Sequence, residues 1–396
     1  MKRAVLFCAL VLLFTLLFSF TMAEETEPET FTSGDYEYIL LPDGTAEITK
    51  YNGEARELSI PDMLDGKKVT SIGNEAFCKG TSFISMAIPN SLTSVTIPEG
   101  ITNIGDYAFA KCTNLISITM PDSLTSIGNA AFAGCSSLVS VMIPKSVTSI
   151  GDKAFGFCSS LTSVTIPENV TNIRNATFAS CSSLTSVTIS NGVTIIGDNA
   201  FEFCSSLTSI TIPNSVTTIG DVSFVGCSSL TSVTIPEGST HIGDFAFSQC
   251  KSLVSVKLPN SMTSVGRGVF YNCSSLMSVK IPHSMTSIGD SMFSSCNSLT
   301  SVNIPDSVTC IEDGAFAHCD SLTSVMIPDS VTSIGDSAFV YCSNLTDMTI
   351  PDGVKNIGKY AFDGCKNLTL NVTKDSYAEQ YCTDNNLIYA YTDSTD

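Results

Sequence analysis

Leu161-Thr-Ser-Val-Thr-Ile-Pro-Glu-Asn-Val-Thr-Asn-Ile-Arg-Asn-Ala-Thr-Phe-Ala-Ser-Cys-Ser-Ser183 is one copy of a unit that recurs every 23 residues. Twelve such units fill residues 92–367 without an insertion. Each has Leu at position 1, Phe at position 18 and Cys at position 21. One unit cannot bury these side chains by itself, whereas stacked units bury them against their neighbours. The period therefore predicts a solenoid.

Each repeat position has a predicted structural role. Leu at 1, Val or Ile at 4 and Ile at 6 predict a short strand, which Pro at 7 ends because proline cannot donate to a ladder. Gly at 14 is expected to allow a tight turn, and Asp at 15 to cap a single helical turn. Phe at 18 and Cys at 21 are expected to point inward. With about 4.8 Å per rung, the rod would be about 60 Å long. The predicted inward columns include Phe109, Phe132, Phe155, Phe178, Phe201, Phe224, Cys112, Cys135, Cys158, Cys181, Cys204 and Cys227.

Four segments are predicted along the chain. Residues 1–23 form a secretory signal peptide, and residues 24–70 form a polar tether and a β-hairpin cap. Residues 71–370 form the solenoid: one imperfect unit, a partial unit at 83–91, and the twelve regular units. Residues 371–396 form a cap with a short helix and a closing strand. Caps are expected because the terminal rungs of a solenoid expose an apolar face and a strand edge.

The N-terminus indicates export. The basic start Met1-Lys2-Arg3 precedes an apolar run from Ala4 to Phe20, and Thr21-Met22-Ala23 offers small residues for cleavage. The alternative is an uncleaved membrane anchor, because a run of about 17 residues lies at the lower edge of spanning length. No second apolar stretch is long enough to span. The sequence therefore predicts a secreted or cell-surface protein with no membrane span after signal removal.

Composition excludes several classes of function. The chain has 38 acidic and 19 basic residues, with a formal net charge of -19. General nucleic-acid binding needs a basic face, so it is excluded. The histidines His241, His283 and His318 occupy repeat positions 12, 8 and 20, on different faces. We therefore expect no catalytic residues, no resident metal and no cofactor, and hence no enzyme.

The cysteine column leaves three interpretations and the aspartate column two. Cysteines in one column could be buried thiols, or could form disulfides or bind metal, although the sequence has no C-x-x-C pair. Cys78, Cys310 and Cys382 stand outside the column and are the better candidates for a reactive thiol. The recurring aspartate at position 15 is interpreted as a turn cap. A calcium column is the alternative, but one Asp per turn supplies few oxygens.

The unit resembles the 23-residue leucine-rich repeat of BspA-like surface proteins. The resemblance rests on Leu-Thr-Ser-Val-Thr-Ile-Pro, Val-Thr-Ser-Ile-Gly-Asp, Ala-Phe and Cys-Ser-Ser, and covers about residues 70–370. It implies an α/β solenoid: a right-handed leucine-rich repeat with a parallel sheet on the concave side and short turns or single helical turns elsewhere. It also implies secreted or surface proteins, some of them adhesins. The resemblance implies no catalytic residues in this chain.

A basic island interrupts an otherwise acidic chain. Lys251, Lys257, Arg267 and Lys280 lie within 30 residues, and no Asp or Glu occurs from 245 to 289. Lys257 and Lys280 share position 5 of adjacent repeats, with Asn303 next in line. Positions 3 and 5 otherwise carry mostly Ser and Thr, which predicts a flat hydroxyl face. The hypothesis is an anion site for an acidic glycan or protein segment, and the alternative is neutral variation on a solvated face.

Two functions remain from the sequence. The first is a non-catalytic binding protein that recognises an extracellular protein or glycan, as in adhesion. The second is a structural, self-associating module of a surface layer or scaffold. Regular strands favour stacking of copies, whereas the large negative charge opposes it. The oligomeric state is left open.

Overall fold

The computed structural model describes residues 28–78 and 91–392. The predicted signal peptide and nearly all of the partial unit at 83–91 lie outside these ranges. Within them, the repeats form the rungs of a β-solenoid with parallel strand pairing. The first strands are β1 (Thr30–Ser33), β2 (Tyr36–Leu40), β3 (Ala46–Tyr51), β4 (Glu57–Ser59), β5 (Met63–Leu64) and β6 (Lys67–Ile72).

Eleven of the twelve regular rungs contribute a short strand within positions 3–6, and eleven contribute a second at positions 12–13. The rung 207–229 lacks the first strand, and the rung 253–275 lacks the second. The strands of the repeats are β7 (Ser94–Thr96), β8 (Asn103–Ile104), β9 (Ser117–Thr119), β10 (Ser126–Ile127), β11 (Ser140–Val141), β12 (Ser149–Ile150), β13 (Ser163–Ile166), β14 (Asn172–Ile173), β15 (Ser186–Ile189), β16 (Ile195–Ile196), β17 (Thr218–Ile219), β18 (Ser232–Thr234), β19 (His241–Ile242), β20 (Ser255–Lys257), β21 (Ser278–Lys280), β22 (Ser287–Ile288), β23 (Ser301–Asn303), β24 (Cys310–Ile311), β25 (Ser324–Met326), β26 (Ser333–Ile334), β27 (Asp347–Thr349) and β28 (Asn356–Ile357).

These strands form two parallel ladders, where the sequence predicted one. The first ladder joins positions 3–6 of successive rungs, in the orders β4-β7-β9-β11-β13-β15 and β18-β20-β21-β23-β25-β27. The second ladder joins positions 12–13, in the orders β6-β8-β10-β12, β14-β16-β17-β19 and β22-β24-β26-β28. In the sequence, the mostly apolar residues at positions 10 and 13 form a second short apolar run. A two-residue strand is too short to be identified from its periodicity.

The two ends of the described chain carry distinct elements. At the N-terminal end, β1, β2 and β3 pair antiparallel, and β3 pairs parallel with β6. At the other end lie β29 (Thr369–Val372), the helix α1 (Tyr377–Asp384) and β30 (Tyr389–Tyr391). Strand β30 extends the first ladder from β29. Ser376 begins α1 by accepting a hydrogen bond from the Glu379 N–H. Their role as caps stays a prediction.

The core contains a continuous column of stacked phenylalanines. Ring centroids of successive rungs lie between 4.7 Å, for Phe77 and Phe109, and 6.1 Å, for Phe247 and Phe270. All the phenylalanines and cysteines predicted to point inward are buried except Cys365 on the last rung, which is half-buried. Each ring therefore packs against the rings of the rungs above and below it.

Glycine at position 14 is explained by close packing between rungs, which corrects the predicted tight turn. A Cβ on Gly220 would lie 2.4 Å from Asp198 Oδ1 and 2.7 Å from Asp198 N, on the preceding rung. The left-handed backbone conformations occur elsewhere, at positions 16 and 20. Their φ values include 57° at Tyr107, 50° at Val222 and 62° at Phe157. The rung bends at these two positions without requiring glycine, and the bends are turns, not helical turns.

Aspartate at position 15 bonds between rungs, which corrects its predicted role as a cap within one rung. The Asp198 carboxylate accepts from the Asp221 N–H at 2.9 Å, and Asp221 accepts from the Asp244 N–H at 2.8 Å. Asparagine does the same through its side-chain oxygen, as Asn175 does toward the Asp198 N–H. The column is a chain of side-chain to backbone hydrogen bonds. The carboxylates face backbone N–H groups, which is the opposite of converging on a cation.

Two arginines stand where the second ladder is interrupted. Arg174 replaces glycine at position 14, and β12 and β14 are not paired. Arg267 replaces aspartate at position 15 and cannot accept a hydrogen bond, and the Asp290 N–H bonds instead to Glu312 Oε2. Beside it, residues 264–265 form no strand. An added Cβ on Gly289 would meet nothing closer than 3.9 Å. The rung 253–275 is therefore loosened on this side.

The packing explanation for position 14 predicts opposite results for two Gly→Ala substitutions. Gly220→Ala should destabilise the protein by about 1–3 kcal/mol, because the methyl group overlaps the preceding backbone. Gly289→Ala should change stability by less than about 0.5 kcal/mol or raise it slightly, since the space is open and alanine restricts the unfolded chain. Urea unfolding of both variants tests this. Equal destabilisation would contradict the explanation.

The phenylalanine column predicts the cost of removing one ring. Phe201→Ala should lower the free energy of unfolding by roughly 3–5 kcal/mol, because it leaves a cavity between two stacked rings. Phe203→Ala is the matched control, since that ring lies two residues away and is exposed. It should cost less than about 1 kcal/mol. A small change in the free energy of unfolding for Phe201→Ala would show that the phenylalanine column contributes little to stability.

Candidate functional site

The exposed side of the first ladder is a face of hydroxyl groups. Along each strand, positions 3 and 5 are exposed and position 4 is buried, as in Ser232–Thr234. Position 3 is Ser in eleven of twelve units, and position 5 is mostly Thr. We call this surface, with the exposed residues at position 2, the hydroxyl face. Its side chains are neutral near pH 7, so it offers hydrogen bonds but no general acid or base.

Three predicted site residues are brought together on this face. Lys257 pairs in register with Lys280 between β20 and β21, and Lys280 with Asn303 between β21 and β23. All three are exposed. Adjacent parallel strands lie about 4.8 Å apart, so two ammonium groups project from neighbouring rungs. Lys257 lies 3.9 Å from Glu237 Oε1, with both side chains exposed, which stabilises the charge weakly.

The other two predicted residues do not join this pair. Arg267 lies at position 15, beyond the second ladder, with its Cζ 5.1 Å from the centroid of the Phe245 ring. Lys251 lies in the turn before β20, where its carbonyl accepts from the Ser275 N–H. The basic residues are therefore close in sequence but lie on different sides of the solenoid. A 23-residue rung passes around the whole rod, so proximity in sequence does not place residues on one face.

Two exposed apolar residues beside the lysines were missed from the sequence. Val254 and Met277 occupy position 2 of the same two rungs and are 43% and 55% exposed. The Met277 N–H donates to the Val254 carbonyl at 3.2 Å, so the two residues are direct neighbours. Position 2 is Thr in eight of the twelve units. A comparison of the repeats at this position would have found both residues.

A groove opens on the same ladder farther toward the N-terminus. Strands β11 and β13 pair only at Ser140 and Ser163, whereas β13 and β15 pair over four residues. The opening has a volume of about 1120 Å³ and is lined by Met142, which is 84% exposed, and by Pro144. The Ser146 hydroxyl in its wall is buried and has no hydrogen-bond partner among the described residues. Charged residues of both signs surround it, so it favours no ligand charge.

The cysteine column is a row of free thiols, all buried except Cys365, which is half-buried. Each donates from Sγ to the carbonyl of a phenylalanine on the preceding rung, as Cys227 does to Phe201 at 3.2 Å. Burial raises the pKa of Cys181, Cys227 and Cys273 to about 12. These thiols stay protonated at neutral pH, which makes them poor nucleophiles. Burial also raises the pKa of Cys78 and Cys382, two of the cysteines predicted to be more reactive.

The histidines are dispersed over the solenoid. His241 begins the two-residue strand β19, and the ring of His318 stacks on Tyr341 with centroids 5.0 Å apart. Among residues 28–78 and 91–392, no group of three or more His, Cys, Asp and Glu is arranged to hold a metal ion. In the same ranges, no helix has the length and apolarity needed to cross a bilayer.

Comparisons with known proteins agree with this repeat architecture. The family described as BspA type leucine rich repeat region matches residues 46–96, 90–208, 194–322 and 263–386. A comparison with curated protein sequences gives no match.

Solved structures give the same result. A leucine-rich repeat protein from Bacteroides ovatus is 29% identical, with a TM-score of 0.75 over 91% of this chain and 99% of that one. A leucine rich cell surface protein from Faecalibacterium prausnitzii is 33% identical, with a TM-score of 0.57 over 90% and 97%. The pneumococcal vaccine antigen PcpA shares the fold at 16% identity, with a TM-score of 0.55 over 92% and 99%.

The raised pKa values predict protection of the cysteine column from alkylation. In the folded protein at pH 8, Cys227 should react with iodoacetamide at least about a hundredfold more slowly than Cys310, because burial removes both thiolate and access. Cys310 is the internal control, since it lies outside the column and is only half-buried. Peptide mapping by mass spectrometry measures both rates. Similar rates in folded protein would contradict the buried column.

Proposed function

Because the chain belongs to the family of BspA-type leucine-rich repeat proteins, we propose that it is an exported binding protein, secreted or held at the cell surface. It recognises an extracellular protein or glycan and catalyses no reaction. The family consists of repeat scaffolds that generally bind partners, and the N-terminal sequence has the layout of a signal peptide. The elements at the two ends of the described chain act as caps for the terminal rungs.

The lysine pair on the hydroxyl face is the observation that carries the proposal. Lys257 and Lys280 stand side by side in register, on a face whose other residues are mostly Ser and Thr. Within the described residues, no ion pair to Lys280 occurs. Like charges on adjacent strands repel, so a bound anion relieves that repulsion. Asn303, in register with Lys280, adds a hydrogen-bond donor and acceptor to the same line.

The face also explains why binding fits better than catalysis. Flat rows of hydroxyl groups can form many hydrogen bonds to a long ligand, but they enclose no substrate and exclude no water. A chain with a net charge of -19 repels most acidic partners at long range. The lysine pair therefore selects where on the rod an acidic ligand can approach. The ligand class is anionic, and its binding weakens with salt.

The proposal predicts loss of binding when the lysine pair is reversed in charge. Residues 24–396 should bind at least one member of a panel of extracellular-matrix proteins and acidic glycans, and Lys257→Glu/Lys280→Glu should weaken that binding at least about tenfold. Biolayer interferometry at two salt concentrations measures the effect, and thermal unfolding checks the fold.

The matched control is Lys153→Glu/Lys359→Glu. It makes the same change in net charge, with both residues exposed and away from the first ladder. This variant should bind like the parent. Equal losses in both double variants would mean that net charge acts from a distance and would remove the local site. Absence of binding together with a mass that grows with concentration would overturn the proposal in favour of a self-associating module.

A further inference from the structure

The rungs that carry the lysine pair also carry the exposed apolar pair. Val254 and Lys257 belong to the rung 253–275, and Met277 and Lys280 to the rung 276–298. Elsewhere at position 2 the exposed apolar residues are Ile116 and Val139, whose rungs have no lysine at position 5. Both columns depart from threonine in these two rungs and also in the rung 138–160, which has Val139 and Met142. Only these two rungs combine an exposed apolar residue at position 2 with a lysine at position 5.

The four side chains form one compact patch on the hydroxyl face. Register between β20 and β21 places Ser255 opposite Ser278 and Lys257 opposite Lys280. The Met277 N–H to Val254 carbonyl bond continues that alignment to position 2. Positions 2 and 5 are three residue steps apart along the strand, at about 3.3 Å per step. The patch thus has a cationic half and an apolar half whose centres lie about 10 Å apart.

A ligand that covers this patch must match both halves. Carboxylates satisfy the ammonium groups, but water-exposed Val254 and Met277 gain only from contact with another apolar surface. A sulfated polysaccharide supplies anions along its length and little apolar area. An acidic protein segment supplies both, because glutamate or aspartate can stand within a few residues of a leucine or a phenylalanine.

We propose that the lysine pair, Val254 and Met277 form one binding site for an extended acidic protein segment that carries apolar side chains. This inference rests on the proposed function and adds the chemical class of the partner. The lysines attract the segment and set its position, whereas the apolar pair discriminates it from an acidic glycan.

The experiment compares two synthetic peptides and one glycan on the same protein. One peptide intersperses glutamate with leucine, the second has serine in place of every leucine, and the glycan is heparin. Fluorescence anisotropy measures their affinities for residues 24–396. The leucine peptide should bind roughly tenfold more tightly than the serine peptide. Val254→Thr/Met277→Thr should reduce that ratio to less than about twofold and leave the affinity for the serine peptide unchanged.

The matched control is Ile116→Thr/Val139→Thr, which removes two exposed apolar residues at the same repeat position in rungs without the lysines. It should leave the ratio at its parent value. Threonine occupies position 2 in eight units, so both variants keep a side chain that the repeat already accepts.

Three outcomes are distinguishable. Equal affinity of the parent protein for the two peptides overturns the inference. Tighter binding of heparin than of either peptide, lost on Lys257→Glu/Lys280→Glu but unchanged on Val254→Thr/Met277→Thr, also overturns it and keeps the proposed anion site. Insensitivity of all three ligands to Lys257→Glu/Lys280→Glu removes the lysine site, and with it both proposals.

Discussion

Hydrogen bonding between the backbones of successive 23-residue rungs is the constraint on which the structure depends. On the second ladder, the Gly220 N–H donates to the Ile196 carbonyl and the Gly243 N–H to the Ile219 carbonyl, both at 2.8 Å. The turns are also bonded between adjacent rungs, as in the bond from the Phe201 N–H to the Ser223 carbonyl of the following rung. Among the twelve regular rungs, the constant length keeps each donor in register with its acceptor. Constant length therefore converts a sequence period into columns of identical residues.

Each column of identical residues stabilises the stacked rungs in a different way. Phenylalanine buries apolar surface in the core. Cysteine donates a hydrogen bond to a backbone carbonyl that is buried away from water. Aspartate and asparagine extend the backbone ladder by one further acceptor per rung. Glycine at position 14 permits the close approach that these bonds need. Arg174 and Arg267 each lie where the second ladder is locally interrupted. The phenylalanine stack continues through both rungs.

A scaffold built in this way separates stability from recognition. The residues that maintain the stack point inward or between rungs, so positions 2 and 5 of the first ladder can vary without breaking it. Lys257, Lys280, Val254 and Met277 vary at those positions, and β20 and β21 keep three register pairs beneath them. The same rung is loosened at the second ladder by Arg267. The proposed binding site therefore lies on the side of the rung where the strand pairing is intact.

The sequence alone determined the repeat, its length, the inward phenylalanine and cysteine columns and the lysine pair, because a strict period assigns each residue its neighbours 23 positions away. The tertiary structure decided what depends on the path of the chain within one rung. It separated Arg267 and Lys251 from the lysine pair and placed Val254 and Met277 beside it. It also assigned glycine and aspartate to contacts between rungs. The physical reason is that a period specifies which residues stack, whereas the two left-handed bends in each rung determine which faces they share.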